Sequence, residues 1–236
     1  MPRPQPLILL PPSEGKADGG EGAPWVVGAM ADDALDAGRK AVLRAAIAAG
    51  ATRKGAPTRP AMERYTGVLY KELDWPSLPA AARRRGSTQV RIVSGLWGLV
   101  APDDPIPHYK LKMSASLDGL GRLSTWWRPR LAPVVAPRAA GTVVWDLLPN
   151  EHEAAMDWSG AAPAQRVTVR FVDTQGRTVS HWNKLLKGSL VRWLLTEQPR
   201  SPRALAAFDH PLGYRLDPDA SELDAAVAVA VLRQHA

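Results

Sequence analysis

The sequence predicts a mixed α/β protein, a single domain over residues 1–236, because strand and helix patterns interleave along the chain. The four apolar residues 7–10 form a short run that is typical of a buried strand. Residues 33–49 carry apolar side chains at helical spacing, which predicts a helix. Two strand-like segments, 166–172 and 178–182, flank Thr-Gln-Gly-Arg and predict a hairpin, which argues against a purely parallel sheet.

The remaining elements are predicted from the spacing of apolar residues, which repeats every two residues in a strand and about every 3.6 in a helix. We find no linker long enough to separate domains. Further strands are predicted at 88–93, 109–113 and 142–147, and further helices at 78–85, 122–128 and 183–196. Gly50 is positioned to cap the first helix, and 50–60, rich in Gly, Pro and charge, predicts a loop. Pro129 and Pro133 predict the end of the 122–128 helix. The tail 223–232 fits a helix by its alanine content and a strand by its alternating valines.

The composition of the chain limits the kinds of catalytic and metal site that it can contain, and it indicates where in the cell we expect the protein. The chain has no cysteine, which excludes disulfides, thiol catalysis and cysteine–metal sites. No window approaches the roughly 18 apolar residues of a membrane-spanning helix, and the N-terminus lacks the apolar core of a signal peptide. We therefore expect a cytoplasmic protein without a membrane partner. The five histidines are scattered and form no HExxH pair, so we expect no metal and no cofactor.

The segment LILLPPSEGK, residues 7–16, ends in Gly15-Lys16 and raises the question of a phosphate-binding P-loop. That motif needs an earlier glycine and a following Ser or Thr. Leu10 and Ala17 occupy those two positions, which argues strongly against ATP hydrolysis through this loop.

Three polar side chains nevertheless follow the first predicted strand: Ser13, Glu14 and Lys16. In α/β sheets, ligands often bind at the carboxyl ends of strands. A second group of polar side chains lies in 109–113, where Tyr109 alternates with Lys110 and Lys112. The alternative for both groups is an ordinary solvated surface.

A third basic group opens the helix predicted at 183–196. Lys184 and Lys187 share one face of that helix, and Asn183-Lys184 places an ammonium beside the free N–H donors of its first turn.

The stretch 117–123, LDGLGRL, has the form of a helix-hairpin-helix turn, in which glycines let backbone N–H groups approach DNA phosphate. The formal net charge of +7 is one part of the footprint of a nucleic-acid-binding protein, although many basic proteins bind no nucleic acid.

Five segments occur in the order and style of one family: LILLPPSEGK (7–16), MERYTGVLYKEL (62–73), SGLWGLVAPDDPIPHYKLKM (94–113), LDGLGRLSTWWRPRL (117–131) and SHWNKLLKGSLVRWLL (180–195). They resemble the peroxide stress protein YaaA family, and its actinobacterial branch in particular, over nearly the whole chain. The resemblance implies a mixed α/β fold peculiar to the family, a role in limiting damage from hydrogen peroxide, and DNA binding through a positively charged cleft.

The resemblance also implies a set of motif residues: Ser13, Lys16, Tyr65, Thr66, Gly67, Ser94, Gly95, Leu96, Gly98, Pro107, Tyr109, Lys112, Met113, Asn183, Lys184, Lys187 and Gly188. Two departures from the family stand out. The loop 50–60 is short where the family usually has a helical insert, and the turn 146–152 replaces the family's usual polar turn. If that turn lines a site, its chemistry has changed, as in a specialised paralogue that acts on a small molecule.

Two functions remain open, and the sequence alone does not decide whether the protein is an enzyme. The first is recognition of DNA or another phosphate-bearing ligand in a basic cleft, associated with peroxide stress. The second is an enzyme of specialised metabolism that acts on a small anionic substrate, in which crowded lysines depress one another's pKa. The candidate catalytic residues are Lys16, Glu14, Lys184 and Tyr109. The candidate ligand-binding residues are Ser13, Tyr65, Ser94, Lys112, Asn183 and Lys187. A third reading is an interaction protein without chemistry of its own.

Geometry distinguishes the first two functions. A concave site of small-molecule size favours the enzyme, if it gathers Ser13, Lys16, Tyr109, Lys112 and Lys184. A long open groove shared with the three arginines 83–85 favours nucleic acid, and binding should then weaken steeply with salt.

Overall fold

The computed structural model describes residues 5–179 and 182–235. Its strands are β1 Leu7–Leu10, β2 Thr58–Pro60, β3 Val90–Ser94, β4 Gly98–Val100, β5 Pro105–Pro107, β6 Ser116–Leu117, β7 Gly121–Arg122, β8 Val143–Asp146, β9 Gln165–Val172, β10 Tyr214–Leu216 and β11 Val227–Gln234. Its α-helices are α1 Asp36–Ala48, α2 Ala61–Arg64, α3 Val68–Leu73, α4 Ala80–Gln89, α5 Leu123–Ala139, α6 Asn150–Glu153 and α7 Asn183–Glu197.

A seven-stranded mixed sheet organises the fold, in the order β10-β11-β9-β8-β1-β3-β4. The five central strands are parallel, and β10 and β4 pair antiparallel at the two edges. The predicted mixed α/β class is therefore confirmed, but the antiparallel pairs are not those expected. The hairpin predicted after β9 reduces to one bridge between Val172 and Thr178, and residues 180 and 181 lie outside the described residues.

The order of the strands reverses at β1. The chain leaves β1 and returns on one side as β3, whereas β8 lies on the other side and continues outward to β9 and β11. All four residues of β1 are buried, as expected for a central parallel strand with both faces covered. The loops after β1 and β8 must then run apart, which opens a crevice at the carboxyl ends of these two strands.

Helix α5 is longer than the sequence predicts. It continues to Ala139 with Pro129, Pro133 and Pro137 inside it, and these prolines recur every four residues on the exposed face. The carbonyls left without N–H partners therefore face solvent, where water can bind them. The opposite face buries Leu123, Trp127, Leu131, Val135 and Ala139. Packing of this apolar face stabilises the helix beyond its prolines. Local residue preferences alone do not predict that packing.

Two segments that were candidates for phosphate or DNA contact adopt other structures than expected. Residues 117–123 form the two-stranded hairpin β6–β7 followed by α5, so the helix that should precede a helix-hairpin-helix turn is missing there. Residues 109–113 keep the expected alternation, with Tyr109 and Met113 buried and Lys112 exposed, but they do not form a strand, and Met113 lies in a turn.

The other differences are shifts of boundaries. Helix α4 runs to Gln89, so the arginines 83–85 lie within it and not at its end. The loop 50–60 contains β2, which pairs with β5. The ambiguous tail is the strand β11 from Val227, parallel to β9. Gly50, with φ of 71°, follows α1 as predicted.

Within the described ranges, no helix combines the length and apolar content needed to cross a membrane.

Gly188 is the point at which α7 lies closest to α3. A Cβ at this position would lie 2.3 Å from the Leu69 carbonyl oxygen, so the two helices would have to separate. Gly188→Ala is therefore expected to lower the free energy of unfolding by about 1–2 kcal/mol, because overpacking outweighs the ~1 kcal/mol gain in helix propensity.

Urea unfolding measures this effect, and Gly160→Ala is the matched control. Among residues 5–179 and 182–235, no atom lies within 4 Å of a Cβ built on Gly160, so that variant should change stability by less than about 0.5 kcal/mol. An unchanged or higher stability of Gly188→Ala contradicts the close helix contact.

Candidate functional site

A cavity of about 640 Å³ occupies the crevice at the carboxyl ends of β1 and β8, and we call it the β1–β8 cavity. Its walls come from residues 11–16 after β1, 67–70 at the start of α3, 110–112, and the turn after β8, with Lys184 of α7 completing them. The volume lies within the roughly 300–1,000 Å³ that is usual for small-molecule sites.

The loop after β1 is held against the segment that joins α2 to α3. Lys16 and Tyr65 form an antiparallel bridge, and the Gly67 backbone N–H donates to Ser13 Oγ over 3.1 Å. A Cβ on Gly67 would lie 2.6 Å from the Ser13 Cβ, so this contact requires glycine. The position of Lys16 in the wall is thus fixed by backbone pairing on one side and by a glycine contact on the other.

The fully buried Arg64 anchors the continuation of the same loop. Its guanidinium donates to the carbonyl oxygens of Ala17, Gly19 (2.8 Å), Pro57 (3.3 Å) and Ile106 (3.2 Å). Burial lowers the pKa of Arg64. Among the described residues no carboxylate forms an ion pair with it, so carbonyl dipoles stabilise this charge.

Lys16 projects into the cavity across two aromatic rings. Its Nζ lies 4.2 Å from the centre of the Tyr109 ring and 5.6 Å from that of Tyr65. It donates one hydrogen bond, of 2.8 Å, to the Ser13 carbonyl oxygen. No carboxylate of residues 5–179 or 182–235 lies within ion-pair distance of this nitrogen, which leaves the amine oriented but without a counter-ion.

Burial lowers the pKa of the Lys16 ammonium to about 8, an effect that the charge of Glu14 opposes and that of Arg64 reinforces. The depressed pKa that was expected from crowded lysines is present, but its main cause is removal from water. At pH 7 about a tenth of Lys16 is therefore uncharged, which is the form that can act as a base or a nucleophile.

Three hydroxyl groups form a buried chain beneath Lys16. Tyr109 Oη lies 2.7 Å from Tyr65 Oη and 2.8 Å from Ser94 Oγ. Burial raises the pKa of Tyr109 to about 12 and also raises that of Tyr65. Both phenols therefore stay protonated at neutral pH, and the chain holds the aromatic floor under the lysine.

An ion pair spans two walls of the cavity. Lys112 Nζ lies 2.9 Å from Glu14 Oε1, and both side chains are largely exposed. This contact lowers the pKa of Glu14 and raises that of Lys112. Because exposed ion pairs contribute little to stability, an incoming anion can replace Glu14 at Lys112 at small cost.

The turn after β8 contributes His152 and Glu151 to the wall. His152 is buried, and its Nδ1 lies 3.6 Å from Glu151 Oε1 with no hydrogen-bond partner among the described residues. Burial lowers the pKa of this imidazole, an effect opposed by the charge of Glu151. His152 is therefore neutral at pH 7, as a proton-accepting group in a cavity should be.

The structure brings five of the ten candidate residues to the cavity wall: Ser13, Glu14, Lys16, Lys112 and Lys184. Tyr65, Tyr109 and Ser94 lie beneath it. Asn183 and Lys187 are not part of the wall, and Lys187 Nζ instead donates to the Leu147 carbonyl oxygen over 2.8 Å.

Sequence reasoning missed Tyr70 and His152 as wall residues. Tyr70 is buried, and its hydroxyl donates to the Pro11 carbonyl oxygen over 2.7 Å. His152 was considered as a metal ligand and as one residue of the turn 146–152, without a role of its own. The departure of the 146–152 turn from the family pattern was the one feature of the sequence that pointed to it.

A second polar cluster, Ser189 with His210 and Glu72, resembles a nucleophile with its base but cannot work as one. His210 Nδ1 accepts the Leu212 backbone N–H over 3.1 Å, so Nε2 carries the proton. That Nε2 lies 2.9 Å from Ser189 Oγ, which itself donates to Glu72 Oε1 over 2.7 Å. The imidazole is therefore a donor to the serine and not its base.

In the part of the chain that the structure describes, no three His, Asp or Glu side chains are grouped as metal ligands.

The fold and the cavity define an α/β protein with a lysine-lined site at the point where its strand order reverses. The chain belongs to the peroxide stress protein YaaA family, whose family model matches residues 33–220. This finding confirms the resemblance of the quoted motifs.

Relatives carry the designation UPF0246. A UPF0246 protein of Streptomyces coelicolor is 39% identical, with 91% of this chain and 93% of the relative aligned. Another, of Corynebacterium efficiens, is 36% identical over 84% of this chain and 86% of the relative. A third, of Methylibium petroleiphilum, is 36% identical over 72% and 68%.

Proposed function

We propose that the protein is an enzyme that acts on a small anionic substrate bound in the β1–β8 cavity. The observation that carries this proposal is the convergence of Lys16, Lys112 and Lys184 on one concave site of about 640 Å³. Such a volume accommodates a single metabolite-sized molecule.

The charge of the wall favours an anion. Four lysines, Lys16, Lys110, Lys112 and Lys184, face two glutamates, Glu14 and Glu151. Since Glu14 is bound to Lys112 only at the exposed rim, an anionic group of the substrate gains a cationic partner there. The wall also includes Pro11, Pro12, Leu111 and Pro149, which supply apolar contact for the body of a small organic molecule.

The altered turn also supports a small-molecule function. Pro149, Glu151 and His152 all line the cavity, so the segment that departs from the family pattern contributes directly to the site. A changed wall is expected where a family member has acquired a substrate of its own.

The three arginines 83–85 are not among the residues that line this cavity. Arg85 donates two hydrogen bonds to the Leu195 carbonyl oxygen, and Leu195 lies about 16 Å further along the axis of α7 than Lys184. Recognition of duplex DNA, which needs a row of cations along the backbone, has less support than a compact anion site.

An association with peroxide stress rests on the family description. A cytoplasmic location stays a prediction, which cell fractionation would test.

Calorimetric titration with oxalate and with inorganic phosphate tests the proposal, because both are small dianions. We expect the double variant Lys112→Gln/Lys184→Gln to bind at least about tenfold more weakly than the wild type, a loss of ~1.4 kcal/mol. Lys54→Gln is the matched control, since Lys54 is exposed and lies outside the cavity wall; it should bind as the wild type does.

The competing DNA hypothesis is tested with a duplex oligonucleotide. Duplex binding that weakens on changing Arg83, Arg84 and Arg85 to Gln, together with unchanged dianion binding in the double variant, would overturn the proposed function.

A further inference from the structure

We propose that Lys16 forms an imine with a carbonyl compound that also carries a carboxylate or phosphate group. This inference rests on the proposed function, because it requires an anionic substrate in the β1–β8 cavity, and it assigns the class of that substrate and the bond that the protein makes with it.

The surroundings of Lys16 distinguish its amine from the other amines of the wall. It is half-buried over the Tyr109 ring, and its one hydrogen bond to the part of the chain that the structure describes goes to the Ser13 carbonyl. Lys112, in contrast, is largely exposed and ion-paired with Glu14. A structural lysine in a protein interior normally has a carboxylate or several carbonyl partners, and within the described ranges Lys16 has no carboxylate partner.

The aromatic floor also supports the Lys16 side chain within the cavity. The bridge to Tyr65 fixes its backbone, and the rings of Tyr65 and Tyr109 lie under its side chain. The amine is therefore held where a bound molecule must meet it, which is the arrangement that raises the effective concentration of a nucleophile.

The reaction is balanced without any further reactant. The uncharged Nζ adds to the carbonyl carbon, and the electron pair of the C=O π bond moves to oxygen, which takes up a proton. The carbinolamine then loses water, so that both amine protons leave on the former carbonyl oxygen and a C=N bond remains. The proton passes from nitrogen to oxygen in this step, and His152 lines the same cavity.

The cations at the rim determine which carbonyl compounds react. Lys112 and Lys184 line the same cavity as Lys16 from other segments of the chain, so a carboxylate or phosphate group bound by them holds the carbonyl carbon close to the Lys16 amine. An uncharged aldehyde has no such anchor, and it should react with Lys16 more slowly.

Reductive trapping tests the proposal on the intact protein. We incubate it with glyoxylate and sodium cyanoborohydride, digest it with chymotrypsin, and measure by mass spectrometry the modified fraction of each lysine. We expect Lys16 to be modified at least about tenfold faster than Lys110 and Lys184 at pH 7, because about a tenth of Lys16 is uncharged there and its amine lies over the aromatic floor inside the cavity. Propionaldehyde, which carries no charge, should show a smaller preference for Lys16.

The rate at Lys16 should rise about tenfold per pH unit below pH 8 and level off above it. Equal or slower modification of Lys16 relative to Lys110 and Lys184 in the wild type overturns the imine, and this comparison does not depend on any variant folding. If oxalate and phosphate still bind in the cavity in that case, the imine alone is wrong. If they do not bind, the proposed function is wrong as well.

Discussion

The Lys16→Met variant is expected to lose the binding of small dianions in the β1–β8 cavity and, at pH 7, to unfold at a higher temperature than the wild type. Methionine has a similar length and fits over the same aromatic rings without a charge to desolvate. We expect a rise in the melting temperature of about 2–4 °C, corresponding to about 1 kcal/mol, and at least a tenfold loss of affinity for oxalate. Thermal unfolding and calorimetry measure the two effects.

The pH dependence supplies a second readout of the same residue. Between pH 8 and about pH 10, folded Lys16 has released a proton that the unfolded chain still holds, since the pKa of an unfolded lysine is about 10.4. The unfolded state therefore binds more protons, and the Lys16 contribution to stability rises with pH in this window. The difference in stability between Lys16→Met and the wild type should shrink as pH rises from 8 to 10. A difference that grows in that window contradicts the assignment.

The Arg64→Met variant is expected to cause the largest loss of stability of any variant considered. It leaves four carbonyl oxygens, of Ala17, Gly19, Pro57 and Ile106, without this donor, and of these the Ile106 oxygen accepts its hydrogen bond in the buried interior. An acceptor left unsatisfied in the interior costs about 1–3 kcal/mol. Because the other three acceptors are partly exposed, we expect a total loss of about 3 kcal/mol, and the melting temperature should fall by roughly 10 °C.

Urea unfolding of Arg64→Met should be compared with that of Arg53→Met, an exposed arginine in the nearby loop. The control should change stability by less than about 0.5 kcal/mol. Because Arg64 anchors the loop that carries Lys16, the variant should also bind oxalate more weakly. A loss of stability below 1 kcal/mol would show that the four carbonyls find other partners.

The sequence predicted the first strand and the residues that follow it because that information is local. A fully apolar run predicts a buried strand, and a polar loop that follows such a strand lies at the carboxyl edge of the sheet. Ser13, Glu14 and Lys16 line the same cavity as Lys112 and Lys184, and the family motifs supplied the expected link between these distant segments.

The parts that sequence reasoning missed depend on contacts between distant segments. The burial of His152 depends on how the turn after β8 packs against the rest of the protein. The helix in that turn has four residues, too few for a periodic apolar pattern that would predict which residue is buried. The length of α5 depends on all three prolines falling on one exposed face. The place of Tyr109, which was a candidate catalytic residue, depends on its hydroxyl bonding to Tyr65 and Ser94 below the cavity.

The reversal of strand order at β1 has a consequence for how ligand occupancy and folding are linked. The two principal walls of the β1–β8 cavity come from the beginning of the chain and from beyond its middle, so no partly folded chain contains the complete site. A ligand therefore binds the fully assembled sheet and stabilises it by mass action, by about 2.7 kcal/mol at a concentration one hundred times the dissociation constant. In a cell, the abundance of the folded protein would then follow the supply of its substrate.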